Sequence, residues 1–197
     1  MAINSPTATL REMRSRTRRL VAELEPIDER ERTDRIDILD WIDSGAPLHR
    51  TAKPATPPKH LVSYCVLVDS ESDSALLVDH LDAGLWLPTG GHVDPGEDAP
   101  DAASREIRGE LAITPPFHPA IGPVPLMVAV TETQGRSLSH TDVSLWFVFT
   151  GSVEMYLHPD PGEFAATNWF RLEDIRHGPD TRFEPNLPRF VDKLARI

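Results

Sequence analysis

The sequence predicts an α+β fold: a mixed sheet lying between helices, preceded by an N-terminal helical hairpin. Three observations carry this. Apolar residues in the first 44 positions recur at three-and-four spacing, the period of a helix. From about residue 59 onward, runs rich in valine and leucine alternate with turn residues in the order strands, helix, strands, helix. Between the two parts, residues 47–58 (PLHRTAKPATPP) have the composition of an extended linker. These features divide the chain into a hairpin at 1–46, a linker at 47–58 and a main domain at 59–197.

The first helix runs over about residues 6–25, after a frayed stretch at 1–5. Leu10, Met13, Thr17, Leu20, Val21 and Leu24 form its apolar stripe, and Arg11, Arg14, Arg16, Arg18 and Arg19 occupy the other faces. Such a basic amphipathic helix could meet a membrane or a nucleic acid. The formal net charge of −11 favours the plainer reading, a solvated face on a helix that packs on a partner. Pro26 suits the first turn of a second helix, which carries Ile38, Leu39, Trp41 and Ile42 and is closed by Gly45 and Pro47. The hairpin has two roles open to it: a cap over the functional site, or the interface of a homodimer.

Residues 60–69 (HLVSYCVLVD) show little alternation, as in a strand buried on both faces. A polar turn, SESDS, leads to a second strand at 75–81, and Asp82-Ala83-Gly84 turns the chain into a short third at 85–87. Pro88 stops that strand, and Gly90 and Gly91 allow a tight turn and close approach to a ligand. Asp98 and Pro100 start a helix, with Asp101 adding charge to its first turn; Pro115 and Pro116 forbid its continuation. Strands at 125–133 and 142–150 are joined by the polar turn QGRSLSH. A short strand at 164–170, a helix starting at 172–175 and a last helix at 185–195 complete the chain.

At 197 residues and 40% hydrophobic content the chain can bury a core of one ordinary domain plus an extension. The acidic balance disfavours nonspecific nucleic-acid binding. No apolar run approaches the roughly 18–20 residues of a membrane span, and the N-terminus lacks an apolar signal region. The single cysteine, Cys65, forms no internal disulfide. A cytoplasmic protein is expected.

The most informative stretch is residues 86–113, WLPTGGHVDPGEDAPDAASREIRGELAI. On its helix Ala103, Ile107 and Leu111 form a stripe that can pack on a sheet. Glu106 and Glu110 stack one turn apart on the adjacent face. Like charges so placed cost about 0.2–0.5 kcal/mol. Holding a hard divalent cation gives such a pair a use, since Mg²⁺ takes oxygen ligands. Glu97 precedes the helix and can reach Arg105.

This stretch resembles the Nudix box, G-x5-E-x7-R-E-U-x-E-E-x-G-U, with U a bulky aliphatic residue. Gly91, Glu97, Arg105, Glu106, Ile107, Glu110 and Ile113 fall in register; Gly109 and Ala112 depart from it. The resemblance implies an α/β/α sandwich. It also implies a MutT-like hydrolase that cleaves a diphosphate linked to another moiety, commonly a nucleoside, using Mg²⁺ or Mn²⁺. Carried over by position, Glu106 and Glu110 are the catalytic carboxylates and metal ligands. The backbone at Gly91 contributes a further ligand, and Glu97 and Arg105 form a structural ion pair. Which glutamate is the base varies within the family.

Gly109 replaces one of the usual metal carboxylates and costs about 1 kcal/mol of helix propensity against alanine. A leaner site, a ligand from elsewhere, and weak or lost activity are the three consequences open. Glu163, six residues before Trp169, resembles the family's additional acidic ligand; Glu132 is a weaker candidate. His92 follows Gly91 and is a candidate to face phosphates. His140 and Asp142 bracket a strand start, where they either cap the turn or line the cleft. Trp86, Phe147 and Phe170 are expected in the core. The alternative function is a Nudix-fold protein that binds or senses a nucleotide without cleaving it. An isomerase on this fold would need a catalytic cysteine, and Cys65 lacks the surrounding motif.

Overall fold

The computed structural model describes residues 6–52, 55–133, 139–178 and 182–197. Two helices open the chain, α1 (Pro6–Glu23) and α2 (Glu29–Asp43). The second does not begin at Pro26. Asp28 is its N-cap, with extended backbone and a side chain that accepts from the Glu31 N–H at 2.8 Å. Glu31 reaches back to the Ile27 N–H at 2.7 Å, so two orphan donors are satisfied together. A side chain that caps wins over proline's fixed φ here.

Seven strands follow: β1 (Lys59–Asp69), β2 (Ser74–His80), β3 (Leu85–Leu87), β4 (Thr89–His92), β5 (Met127–Thr133), β6 (His140–Thr150) and β7 (Phe164–Arg171). Helix α3 (Ala99–Leu111) lies between β4 and β5, and α4 (Leu172–His177) and α5 (Leu187–Leu194) end the chain. The main path of the sheet is β3-β2-β1-β6-β5, with β4 paired to β1 and β7 to β2. β1 and β6 run parallel over ten paired positions, while the other pairings are antiparallel. The sheet is therefore mixed, as expected. Gly90 and Gly91 do not form a free turn: they lie within β4, opposite Tyr64 and Ser63. The early part of the 134–140 turn and residues 1–5 lie outside the described residues.

Helices cover both faces. On one face Leu61, Cys65, Leu67, Leu145 and Phe147 pack with Ala103, Ile107 and Leu111 of α3. Val21, Leu24, Ile38 and Ile42 of the hairpin and Leu48 join the same cluster, so the hairpin spends its apolar stripe within the chain. On the other face Val66, Val68, Trp146 and Val148 meet Ile175, Phe190 and Val191. This double covering explains why residues 60–69 read as a continuous apolar run rather than an alternating one. Glu31, fully buried, joins three elements: it takes Lys193 of α5 at 2.7 and 2.9 Å and the Val128 N–H of β5 at 3.1 Å. Among the described residues no helix is long and apolar enough to cross a membrane.

Candidate active site

Helix α3 is fastened along β1: Ser63 Oγ donates to the Ala99 carbonyl at 2.8 Å, and Cys65 Sγ meets the Ala103 carbonyl at 3.0 Å. Ala102, Ala103, Ile107 and Leu111 face inward and are buried. That leaves the stripe of Glu106 and Glu110 poised over β4. Contact is close because β4 is glycine there. A Cβ at Gly91 would stand 2.5 Å from Glu106 Oε1. Glu110 Oε2 accepts the Gly90 N–H at 3.1 Å.

Arg105 locks the preceding loop to the helix. Its guanidinium grips Glu97 with two hydrogen bonds, each 2.8 Å, and donates to the His92 carbonyl at 2.9 Å. A fourth bond, 2.6 Å, reaches Glu106 Oε1. The ion pair expected between Glu97 and Arg105 is thus present, and the same arginine also holds the carboxylate of its neighbour. Arg16 of α1 pairs with Asp98, the residue before α3, so the hairpin braces this loop from outside.

Glu163 reaches the site through the end of α3. The last carbonyls of a helix lack partners within it. Here Asp160 N–H bonds the Glu110 carbonyl at 3.0 Å and His158 N–H the Leu111 carbonyl at 3.1 Å. This straps the loop before β7 across the helix end and brings Glu163 into the same cleft as Glu110. Glu106, Glu110 and Glu163 line one polar cleft of about 450 Å³ together with Gly90, Gly91, His92 and Arg50. Such a volume accommodates a small molecule.

Burial and the convergence of carboxylates raise the proton affinity of Glu110 and Glu106. Burial, then Glu106 and Glu163, push Glu110 up to about 8. Burial raises Glu106 as well, against the pull of Arg105. A site that holds its carboxylates at such a disadvantage favours a cation. The donors are all oxygen, as Mg²⁺ or Mn²⁺ prefers, and a side chain at position 91 would fill the space that Glu106 uses. The residues present therefore fit a hard divalent ion.

The remaining candidates are distributed differently. His140 and Asp142 are not among the residues lining the cleft; they meet His60, which in turn stands 3.1 Å from His92, on the other side of the strands. His92 touches both places, and burial, then Arg50 and His60, hold its pKa down at about 4. Glu132 is exposed on β5 and is not part of the cleft lining. Trp86, buried, packs edge-on against Phe170, and Phe147 is fully buried. Cys65 is also fully buried, with its thiol pushed up by burial, which does not suit a nucleophile. Arg50 was not legible as a cleft residue, because nothing in the composition of 47–58 distinguishes an arginine that turns inward. His60 was hidden in the same way by an apolar run.

Gly109 is exposed on α3, with open space where a side chain would go. Ala112, the second departure from the pattern, caps α3 in the left-handed conformation at φ 57°. Glycine adopts that conformation without the Cβ clash, which is a physical reason for the glycine of the pattern.

Known proteins resemble this chain in sequence and in fold. The NUDIX domain profile matches residues 58–194. A Bacillus subtilis (strain 168) protein, provisionally named an 8-oxo-dGTP diphosphatase, is 46% identical over 57 residues. That stretch spans 29% of this chain and 38% of the relative, so the match covers little more than a third of the relative's length. Among solved structures, the E. coli dihydroneopterin triphosphate pyrophosphohydrolase is 16% identical, with a TM-score of 0.54 over 75% of this chain and 97% of that one. The MutT protein of Methanosarcina mazei Go1 is 20% identical, with a TM-score of 0.53 over 71% and 94%. At such identities the structural likeness speaks for the fold.

Proposed function

The chain belongs to the NUDIX domain family, and from that premise we propose that it is a divalent-metal-dependent pyrophosphohydrolase. Its substrate would be a nucleoside diphosphate linked to another moiety, of nucleotide or nucleotide-sugar type. The observation that carries this is the convergence of Glu106, Glu110 and Glu163 on one cleft beside the bare backbone of Gly91.

In this reading Glu106, Glu110 and Glu163, with the Gly91 backbone, hold Mg²⁺ or Mn²⁺. The bound ion supplies charge neutralisation at the diphosphate and lowers the pKa of a coordinated water. The protein's own contribution is positional. Arg105 and Glu97 fix the loop and steady Glu106. Arg50 and His92 line the same cleft; the arginine offers a charge and the imidazole a hydrogen bond to phosphate oxygens. A carboxylate of the cluster would accept the proton of the attacking water. The fragmentary match to the B. subtilis relative supports a nucleotide class of substrate and no finer choice.

One observation favours a second reading. Gly109 leaves the box one carboxylate short, which suits a protein that binds a nucleotide and turns it over slowly or not at all. Phosphate or pyrophosphate release separates the two. The substrates are nucleoside di- and triphosphates, nucleotide sugars and ADP-ribose, each with Mg²⁺, Mn²⁺ or EDTA. EDTA-sensitive release from one class is expected. Silence across the panel, with nucleotide binding still measurable by calorimetry, would favour the binding protein.

A further inference from the structure

Three strands bring imidazoles and a carboxylate to one point on the face of the sheet away from α3. His60 stands near the start of β1, His92 at the end of β4, and His140 and Asp142 at the start of β6. Register explains the meeting: His60 is paired with Asp142, and Val62 with His92. Alternation along β1 turns His60 away from the face where Ser63 and Cys65 meet α3.

The geometry orients the donors. His60 Nδ1 lies 2.9 Å from the Pro57 carbonyl oxygen. A carbonyl only accepts, so Nδ1 carries the proton and Nε2 of the neutral ring presents a lone pair. That nitrogen is 3.3 Å from Asp142 Oδ1 and 3.1 Å from His92 Nε2. His140 Nε2 is 3.4 Å from the same Asp142 oxygen. Ligand atoms of His60, His140 and Asp142 all lie within 4.8 Å of one another. The site is enclosed: the His60 side chain is fully buried, and those of His140 and Asp142 are 16% and 17% exposed.

We propose that His60, His140 and Asp142 form a binding site for Zn²⁺, separate from the carboxylate site on the α3 side. The donor set is mainly imidazole, which suits Zn²⁺ and similar transition ions and does not suit Mg²⁺. The spacing fits as well. Two ligands about 2.0–2.1 Å from Zn²⁺ at a tetrahedral angle stand about 3.3–3.4 Å apart. The separations from Asp142 Oδ1 to His60 Nε2 and His140 Nε2 are 3.3 and 3.4 Å. The Pro57 carbonyl supplies the outer hydrogen bond that fixes a ligating ring. These three ligands leave the fourth position of a tetrahedral sphere to water, and the ion would tie β1 to β6 beside Pro57. None of the three glutamates of the cleft takes part, and His92, which lines that cleft, stands beside the site without being one of its ligands.

The test is a calorimetric titration of the full chain, stripped with chelator, with Zn²⁺ in a background of excess Mg²⁺. One Zn²⁺ per chain and a rise in Tm are expected. His140→Ala and Asp142→Asn alter partly exposed positions at a strand start. Each should lose at least about tenfold in Zn²⁺ affinity, together with the Tm rise, while Glu110→Gln keeps both. X-ray absorption of the zinc-loaded wild type should give coordination that includes imidazole nitrogen near 2.0–2.1 Å, and this measurement stands even if a variant fails to fold. No zinc binding, binding lost in Glu110→Gln but kept in His140→Ala, or an all-oxygen shell would each overturn the proposal.

Discussion

Gly91 and Glu106 share a space that only one of them can occupy: a Cβ at position 91 would lie 2.5 Å from Glu106 Oε1 and 2.6 Å from its Cδ. The obstacle is the end of a flexible side chain, so Gly91→Ala is accommodated by moving Glu106. Stability should change by less than about 1 kcal/mol, while metal-dependent turnover falls at least about tenfold. The neighbouring position contrasts with it. Gly90 has φ +154°, and a Cβ there would meet the Ser63 carbonyl oxygen at 2.3 Å and Tyr64 Cα at 2.9 Å. Gly90→Ala should cost about 2–3 kcal/mol of folding stability. Denaturation and turnover measured on both variants would give opposite profiles; equal losses of stability would count against the shared-space account.

Glu110 carries a folded-state pKa near 8 where a free glutamate has 4.5. The folded chain therefore keeps a proton that the unfolded chain releases. Stability of the metal-free protein falls as pH rises between those values, and is highest below the lower one. Each unit is worth about 1.4 kcal/mol. Glu110→Gln removes the carboxylate, so in EDTA its Tm should exceed that of wild type at pH 8, with the gain shrinking towards pH 5. The same variant should lose Mg²⁺-dependent turnover by at least about a hundredfold. Unchanged turnover would remove Glu110 from the site.

The two departures from the box pattern differ in cause and should respond differently. Gly109 is exposed with open space beside it, so Gly109→Glu needs no repacking and gains about 0.5–1 kcal/mol of helix propensity. A rise in turnover or in Mg²⁺ affinity would show that the absent carboxylate limits the site. Ala112 sits at φ 57°, so Ala112→Gly relieves a Cβ clash and should stabilise by about 0.5–1 kcal/mol without altering turnover. Chemical denaturation measures both effects.

Lys193 is the cation that Glu31 faces inside the protein, and burial lowers its pKa against the pull of that carboxylate. Lys193→Met would leave the Glu31 carboxyl buried without its cation and should cost about 3–5 kcal/mol. Urea unfolding with unchanged slope is the measurement. A cost under about 1 kcal/mol would mean that water replaces the ammonium group.

Element order and periodicity were legible because each depends on neighbours a few residues away. The two-sided burial of residues 60–69 and the stripe of Ala103, Ile107 and Leu111 were both readable in this way. So was the stacking of Glu106 on Glu110, since one helical turn separates them. The start of α2 lies past Pro26 because the side chains of Asp28 and Glu31, rather than proline, set the first turn. The glycine turn proved to be a strand because its partner, β1, lies more than twenty residues away.

Local sequence is enough to read the sheet between helices, the reach of Glu97 to Arg105, and the stacking of Glu106 on Glu110 along one face of α3. All of these follow from periodicity and spacing within single segments. Strand pairing and packing set Glu163 beside Glu110, bring Arg50 to the same cleft, and gather His92, His140 and Asp142 around His60. These encounters depend on which strands pair and in what register. Pairing is set by burial of the whole sheet and leaves no periodic trace in the residues that happen to meet.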